Sequence, residues 1–330
     1  MTTDDDPVRE WLYQPIPGRL WHYTNFDGFA GMVRSGRIWA TDVWSLNDTE
    51  EFIHAKGIAE SVIRDLPEDG DSARAKAAAK DFVDSCFNTG VLSPARLEIY
   101  VAAFTTLDDT LSQWWRYGDS GKGFSLGFDL RQLRPPSGSG SLVAFAPCVY
   151  EESEKRRLIS AALHHFVSGT LSLWRKVASP VWVSERMMQW EDMHRVIHGA
   201  YRENFMDWNQ NYLHEELLTH ALKTAGNLLN MAALCKNRSF YEEKEWRLVL
   251  PVERDQKLQT AFRQTRMKGS TVIRYLTTSL PPGVETKLPL EEVVRGPCNK
   301  STDVRDSVAN LLRTHRCSAP MRDSAIPFRC

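Results

Sequence analysis

The stretch SFYEEKEWRLVL, residues 239–250, alternates in the manner of a strand from Glu243 onward. Glu243, Glu245, Arg247 and Val249 fall on one face, and Lys244, Trp246, Leu248 and Leu250 on the other. A strand is therefore predicted from Glu243 to Val252, with two acids and a guanidinium side by side. The ordinary account of such a row is a solvated sheet face whose charges neutralise one another. Two upstream segments bear on it: LWHYTNFDGFAGMVRSGRIWATD (residues 20–42) and AAFTTLDDTLSQWWRYGDSGKGFSLGFD (residues 102–129).

Working outward, LWHYT is short and aromatic-rich and follows Pro17-Gly18, which predicts a buried first strand. Phe26, Phe29, Met32 and Val33 then recur at helical spacing up to Gly36, a residue suited to a left-handed helix end. Arg37 to Thr41 reads as a second strand. Asn47 or Asp48 is a candidate N-cap for a following helix with Glu50 and Glu51 in its first turn. Two helices separated by PEDGDS fill residues 51–90, and Leu97 to Thr106 is a strand. TLSQWWRYG predicts a helix with Leu111, Trp114, Trp115 and Gly118 on one face. Further strands are expected in FSLGFDL, LVAFAPCVY, TVIRYLTTSL and LEEVVRGP, with a charged segment before TVIRYLTTSL and a last helix at Thr302 to Thr314. Glu151 to Asn237 lacks strand signals and reads as several helices, with Trp174, Trp182, Trp190 and Trp208 in their seams. Residues 1–18 form a lead-in and 19–330 one domain, with a helical insertion at about 151–237.

The chain has 330 residues, 42% hydrophobic and 25% charged, which is ordinary for a folded globular protein. Its formal net charge of −1 supplies no overall positive field for nucleic acid or an anionic membrane. No apolar run has the length of a membrane span, and the acidic start MTTDDDPVREW is unlike a secretory leader. A cytoplasmic protein without a membrane partner is expected. The six cysteines, Cys86, Cys148, Cys235, Cys298, Cys317 and Cys330, show no CxxC and suit reduced structural thiols.

GxSxG, P-loop and HExxH motifs are absent, and GDSGKGFSLGF enters a strand where a dinucleotide turn would enter a helix. Glu191, His194 and His198 could share a helix face, but no third ligand at metal spacing accompanies them, so no metal is expected. His22, between aromatic residues of a buried strand, reads by itself as a hydrogen-bonded core histidine.

The three segments, with SAIPFR near the end, together resemble the DUF2971 family of bacterial and phage proteins over most of the chain. At a deeper level, a histidine-bearing first strand, a helix ending at Gly36 and a short second strand resemble the opening of the ADP-ribosyltransferase superfamily, including DNA-modifying toxins of the DarT type, which use a His, Tyr, Glu triad. The resemblance implies an α+β fold with a split, mostly antiparallel sheet, flanking helices and NAD as co-substrate. His22 matches the histidine and Glu245 the glutamate. The tyrosine position falls at Phe104 or Thr105, with Tyr117 a helix further on, a departure from the pattern.

On this resemblance His22, supported by Tyr23 and Thr24, would bind a ribose hydroxyl. Glu245 would hold the 2′-OH and stabilise the cation that develops as nicotinamide leaves. Tyr117, Trp115 or Phe104 would stack on nicotinamide, with Ser112 in the same segment, and Arg116 or Arg247 would meet the pyrophosphate. Glu243 would activate the acceptor, which could be protein, nucleic acid, a small molecule or water. His22 and Glu245 must then face one cleft. The alternatives are a nucleotide-binding or defence-associated sensor that keeps the fold without turnover, and a metal-dependent hydrolase or nuclease using Asp48.

Overall fold

The computed structural model describes residues 6–45, 49–68, 70–87, 97–131, 143–177, 224–253, 261–268, 270–279 and 288–327. They form a mixed α/β structure around one ten-stranded sheet. The strands are β1 (Leu20–Thr24), β2 (Ile38–Asp42), β3 (Leu97–Thr105), β4 (Phe124–Phe128), β5 (Ala144–Pro147), β6 (Glu245–Glu253), β7 (Ala261–Lys268), β8 (Thr271–Thr278), β9 (Leu290–Arg295) and β10 (Met321–Asp323). Every named pairing is antiparallel except β9 with β10.

β3 organises the sheet. Along one edge it pairs with β6 from Leu97↔Glu253 to Thr105↔Glu245. The other edge is shared by two strands: β1 joins at Thr105↔Trp21, and β2 at Val101↔Thr41 and Tyr100↔Asp42. Between those contacts, at Ala102 to Phe104, β1 and β2 have parted from β3. β1 continues outward to β4, β9 and β10, and β2 to β8 and β7.

Alternation along β3 and β6 feeds two cores. Ile99, Val101 and Val249 face a core built with α3 (Thr49–Arg64), α4 (Gly70–Phe87), α6 (Glu152–Val177) and α7 (residues 224–234). Tyr100, Ala102, Phe104, Trp246 and Leu248 face the other, closed by Phe29 and Met32 of α2 (Phe26–Ser35) and by Val308 and Leu312 of α8 (Thr302–Thr314). α2 starts where Asn25 accepts from the Gly28 amide and stops at Gly36 (φ 65°), as its sequence requires. α8 starts at a Ser301 cap.

Several expectations change. The lead-in contains α1 (Pro7–Leu12), capped by Asp6 and anchored by buried Val8 and by the Trp11 indole donating to the Pro147 carbonyl at 3.0 Å. The charged segment before β8 holds β7, an edge strand whose largely exposed side chains carry no apolar alternation; its signal is pairing with β8. In α5 (Leu111–Arg116), Trp114 is buried but Leu111 and Trp115 are exposed, so the expected common face is not kept. Cys298 is disulfide-bonded, contrary to uniformly reduced thiols, while Cys86, Cys148, Cys235 and Cys317 are free. The proposed Asn47 or Asp48 cap, residues 178–223 of the helical section with His194, His198 and three of its tryptophans, and the side chain of Trp174 lie outside what is described. No helix among the described residues is long and apolar enough to cross a membrane.

A Cβ at Gly36 would meet nothing within 4 Å, so its requirement is one of backbone conformation alone. Gly36→Ala is expected to cost about 1 kcal/mol in urea denaturation without altering the native spectrum.

Candidate functional site

The predicted strand over Glu243 to Val252 starts two residues late. Arg238–Glu243 is a 3-10 helix capped by the Asn237 side chain, Lys244 adopts the left-handed conformation (φ 44°), and β6 begins at Glu245. The break keeps Glu243 from continuing the strand. Two hydroxyls fix the junction: Thr105 donates to the Glu243 carbonyl at 2.6 Å, and Tyr150 accepts from the Glu245 amide at 2.9 Å.

Both carboxylates then converge on Lys236, which follows α7 and is 1% exposed. Its ammonium lies 3.0 Å from Glu243 Oε2 and 2.5 Å from Glu245 Oε2. The other oxygen of Glu245 accepts from Arg247 Nε at 2.6 Å, and that guanidinium also donates to the Ala233 carbonyl at 2.7 Å. Glu51 of α3 stands 3.8 Å from Arg247 Nη2 and accepts from the Asn237 amide at 2.6 Å. On the outer side, Glu243 Oε1 accepts from Arg116 Nη1 at 3.0 Å and from the Tyr117 hydroxyl at 3.1 Å. Three acids, Glu51, Glu243 and Glu245, thus meet three cations, Lys236, Arg247 and Arg116.

At Glu245 and Lys236 burial favours the neutral form, yet the partners prevail. Desolvation raises the Glu245 pKa, but Arg247 and Lys236 bring it below its ordinary 4.5. Desolvation lowers the Lys236 pKa, and the Glu245 carboxylate overrides it, leaving it above its ordinary value. Both groups are therefore charged at neutral pH. On the outer side of the cluster Tyr241 is 60% exposed and Tyr117 39%, and Trp115, the neighbour of Arg116 in the chain, is 61% exposed. The Arg116 guanidinium lies over the Phe240 ring at 4.8 Å, and Tyr241 meets Tyr150 edge-on at 5.3 Å.

Of the residues singled out in the sequence, Glu243, Glu245, Arg116, Tyr117 and Arg247 come together here, with Trp115 next in chain. Ser112 is half-buried in the first turn of α5. His22, Thr24 and Phe104 are not part of this group. The Trp21↔Thr105↔Glu245 register puts Trp21 and Tyr23 on the sheet face of Glu245, and His22 and Thr24 on the opposite face with Phe104. Tyr23 is occupied structurally, packing edge-on against Trp114 at 4.8 Å and accepting from the Thr110 amide at 3.1 Å. Phe104 is buried against Phe128 and Phe145.

His22 Nδ1 lies 2.8 Å from the Ala103 carbonyl, in the interval where β1 and β2 leave β3. That oxygen can only accept, so Nδ1 carries the proton. The ring retains some accessible surface but is walled by protein. Desolvation lowers its pKa below 6.5, the carbonyl opposes this, and the charge of Arg266 lowers it further.

The sequence reading missed Lys236, Glu51 and Tyr150. A lysine ending an apolar run, MAALCK, looks like a helix-terminal cation, and nothing local places two carboxylates 3 Å from it.

Residues 113–248 match the DUF2971 family. The family is described as a protein of unknown function. No curated protein and no solved structure matches the chain. The DUF2971 match runs from Gln113 in α5 to Leu248 in β6. It contains Arg116, Tyr117, Lys236, Glu243, Glu245 and Arg247, and leaves Glu51 and β1 with His22 outside.

Glu245→Gln leaves Lys236 with Glu243 alone and removes the counter-charge on Arg247 Nε, and is expected to cost about 3 kcal/mol at pH 7 in denaturant titration. Because the folded pKa of Glu245 is depressed, its stabilisation is complete above about pH 4.5 and lost as pH falls through the lower folded value. Wild-type stability should therefore decline below pH 4.5 more steeply than that of Glu245→Gln.

Proposed function

We propose that this protein is a nucleotide-binding module that takes NAD+ or a related adenine nucleotide at the outer side of the Glu243 cluster, without turning it over. The observation that carries this reading is the set of exposed rings Trp115, Tyr117 and Tyr241 around Arg116, whose side chain is 47% exposed, above charges that are already paired. A base stacks on an aromatic face, and a guanidinium meets a phosphate through two parallel hydrogen bonds. The cluster beneath holds Arg116 and Tyr117 in place through Glu243. Such a site suits a sensor of nucleotide level, for instance in defence against phage.

Two features favour binding over catalysis. An oxocarbenium ion is stabilised by a net negative environment, but Glu245 is neutralised on both oxygens by Lys236 and Arg247. His22 and Glu245 also lie on opposite sheet faces, so the ribose contacts that the ADP-ribosyltransferase resemblance implies are not available together.

ADP-ribosyl transfer is the second reading, favoured by the convergence of Glu243 and Glu245 beside Tyr117 and Arg116. In it Glu243, the carboxylate reached by the two outer side chains, would act toward the acceptor, and Glu245 toward the ribose once its cations yield.

Titration with NAD+ should raise the melting temperature, by an amount corresponding to about 2.7 kcal/mol at a hundredfold excess over Kd. No nicotinamide should be released, with or without cell lysate. Trp115→Ala and Arg116→Ala, both at exposed positions, should each weaken binding about tenfold. Absence of any shift with NAD+, ADP-ribose and ADP would sink the binding reading. Release of nicotinamide together with transfer of labelled ADP-ribose to a component of the lysate, both abolished in Glu245→Gln, would favour the transferase instead.

A further inference from the structure

The β7–β8 hairpin carries three arginines that the register sorts between its faces. Arg263 and Arg274 lie on one face, where they find acids: Arg263 Nε is 2.7 Å from Glu98, and Arg274 Nη2 is 2.5 Å from Asp42. Arg266 lies on the other face with Tyr275 and, across β8, Thr41 and Trp39 of β2. It has no carboxylate within 4.0 Å among the described residues. Its guanidinium lies beside a pair of contacting rings, 5.4 Å from the centroids of both Trp39 and Tyr275, which are themselves 4.8 Å apart. Among the described residues its one hydrogen bond is a long one, from Nη2 to Thr41 Oγ1 at 3.4 Å.

Two donors at this point are buried and lack an acceptor: Nε of Arg266 and the indole Nε1 of Trp39. The Tyr275 hydroxyl donates to Gln264 Oε1 at 2.7 Å and accepts from neither of them. The Trp39 ring is seated against Gly31 of α2, where a Cβ would come within 2.1 Å of it, so the indole is held in place by the helix that joins β1 to β2. A buried N–H without an acceptor is costly, and a guanidinium without a counter-charge more so. Here both costs fall in one place, and the missing partner is the same: a negatively charged oxygen group. Cation–π contacts with two rings keep the arginine in position but satisfy none of its N–H groups.

We propose that Arg266 and Trp39 form a binding site for the carboxylate or phosphate group of a small anionic molecule, on the sheet face over β2, β8 and β7. The fork of Arg266 receives two oxygens, and the indole N–H a third contact. The site is separate from the Glu243 cluster and does not depend on the nucleotide reading. It lies near enough to His22 for the guanidinium charge to act on that ring. An anion bound at Arg266 therefore offsets the charge that the interval between β1 and β2 experiences.

Thermal unfolding of the full chain is followed against inorganic phosphate and against acetate, at ionic strength held constant with sodium chloride. Wild type is expected to show a saturable rise in melting temperature with at least one of them. A response to phosphate alone assigns a phosphate group, and one to acetate alone a carboxylate. Arg266→Met keeps the volume beside the rings and should abolish the response. Trp39→Phe keeps a ring and removes the donor, and should raise the dissociation constant about tenfold. A response that survives Arg266→Met, a constant unchanged in Trp39→Phe, or a wild type that responds to neither anion overturns the proposal. Should Arg266→Met not fold, Arg266→Lys, which retains charge without the planar fork, takes its place with the same expected loss.

Discussion

Lys236 carries a charge into an interior that cannot solvate it, and the surrounding structure follows from neutralising it there. An isolated buried ammonium would deprotonate or unfold its surroundings. Glu243 and Glu245 prevent this, and they can do so together because Lys244 takes a left-handed turn between the 3-10 helix and β6. Once the carboxylates are committed, Arg247 completes Glu245, Glu51 brings in α3, and Arg116 with Tyr117 brings in α5. Segments far apart in the chain thus meet at one electrostatic requirement. A cluster of this kind contributes less to net stability than to fixing which elements meet.

The second constraint is topological. β3 offers one edge to two strands, and they cannot both follow it. Where they part, the Ala103 carbonyl loses a ladder partner, and His22 supplies one. That duty gives the imidazole a definite tautomer and explains why a polar ring is tolerated on the face of Phe104. Trp39 of β2 and Arg266 of the edge strand β7 hold donors that the sheet does not use. Two places on the sheet thus carry different chemistry: paired, neutral charge under exposed rings at Glu243, and an unmatched cation over β2, β8 and β7.

Much of the fold was legible because the signals are local. LWHYT, Gly36, the Leu97 strand, FSLGF and the helix from Thr302 to Thr314 each carry their own periodicity or terminator, and each forms where expected. Elements held by neighbours were not legible. β7 has largely exposed side chains, β10 is three residues long and is tied through Arg295 and Asp323, and α1 depends on contacts with residues more than a hundred positions away. The site divides in the same way. That Glu245 and Arg247 share a face is a matter of strand alternation. That Glu243 joins them despite leaving the strand, and that Lys236 stands between the acids, depends on a backbone reversal and on where α7 ends.

By itself the sequence determined, for most segments, which are strands and which are helices, since alternation, helical spacing and turn residues act over a few positions, while the mostly antiparallel arrangement was only what the resemblance implied. It also determined the resemblance to DUF2971, which the match over residues 113–248 bears out. The tertiary structure alone decided which charged groups are partners and which face each strand presents. A one-residue difference in register moves every side chain across a sheet, and β1 is held by Leu20 in the core under α2 on one face and by Trp21 and Tyr23 against Trp114 on the other. That is why His22 and Glu245, aligned in the order of the chain, stand on opposite sides of the molecule's central sheet.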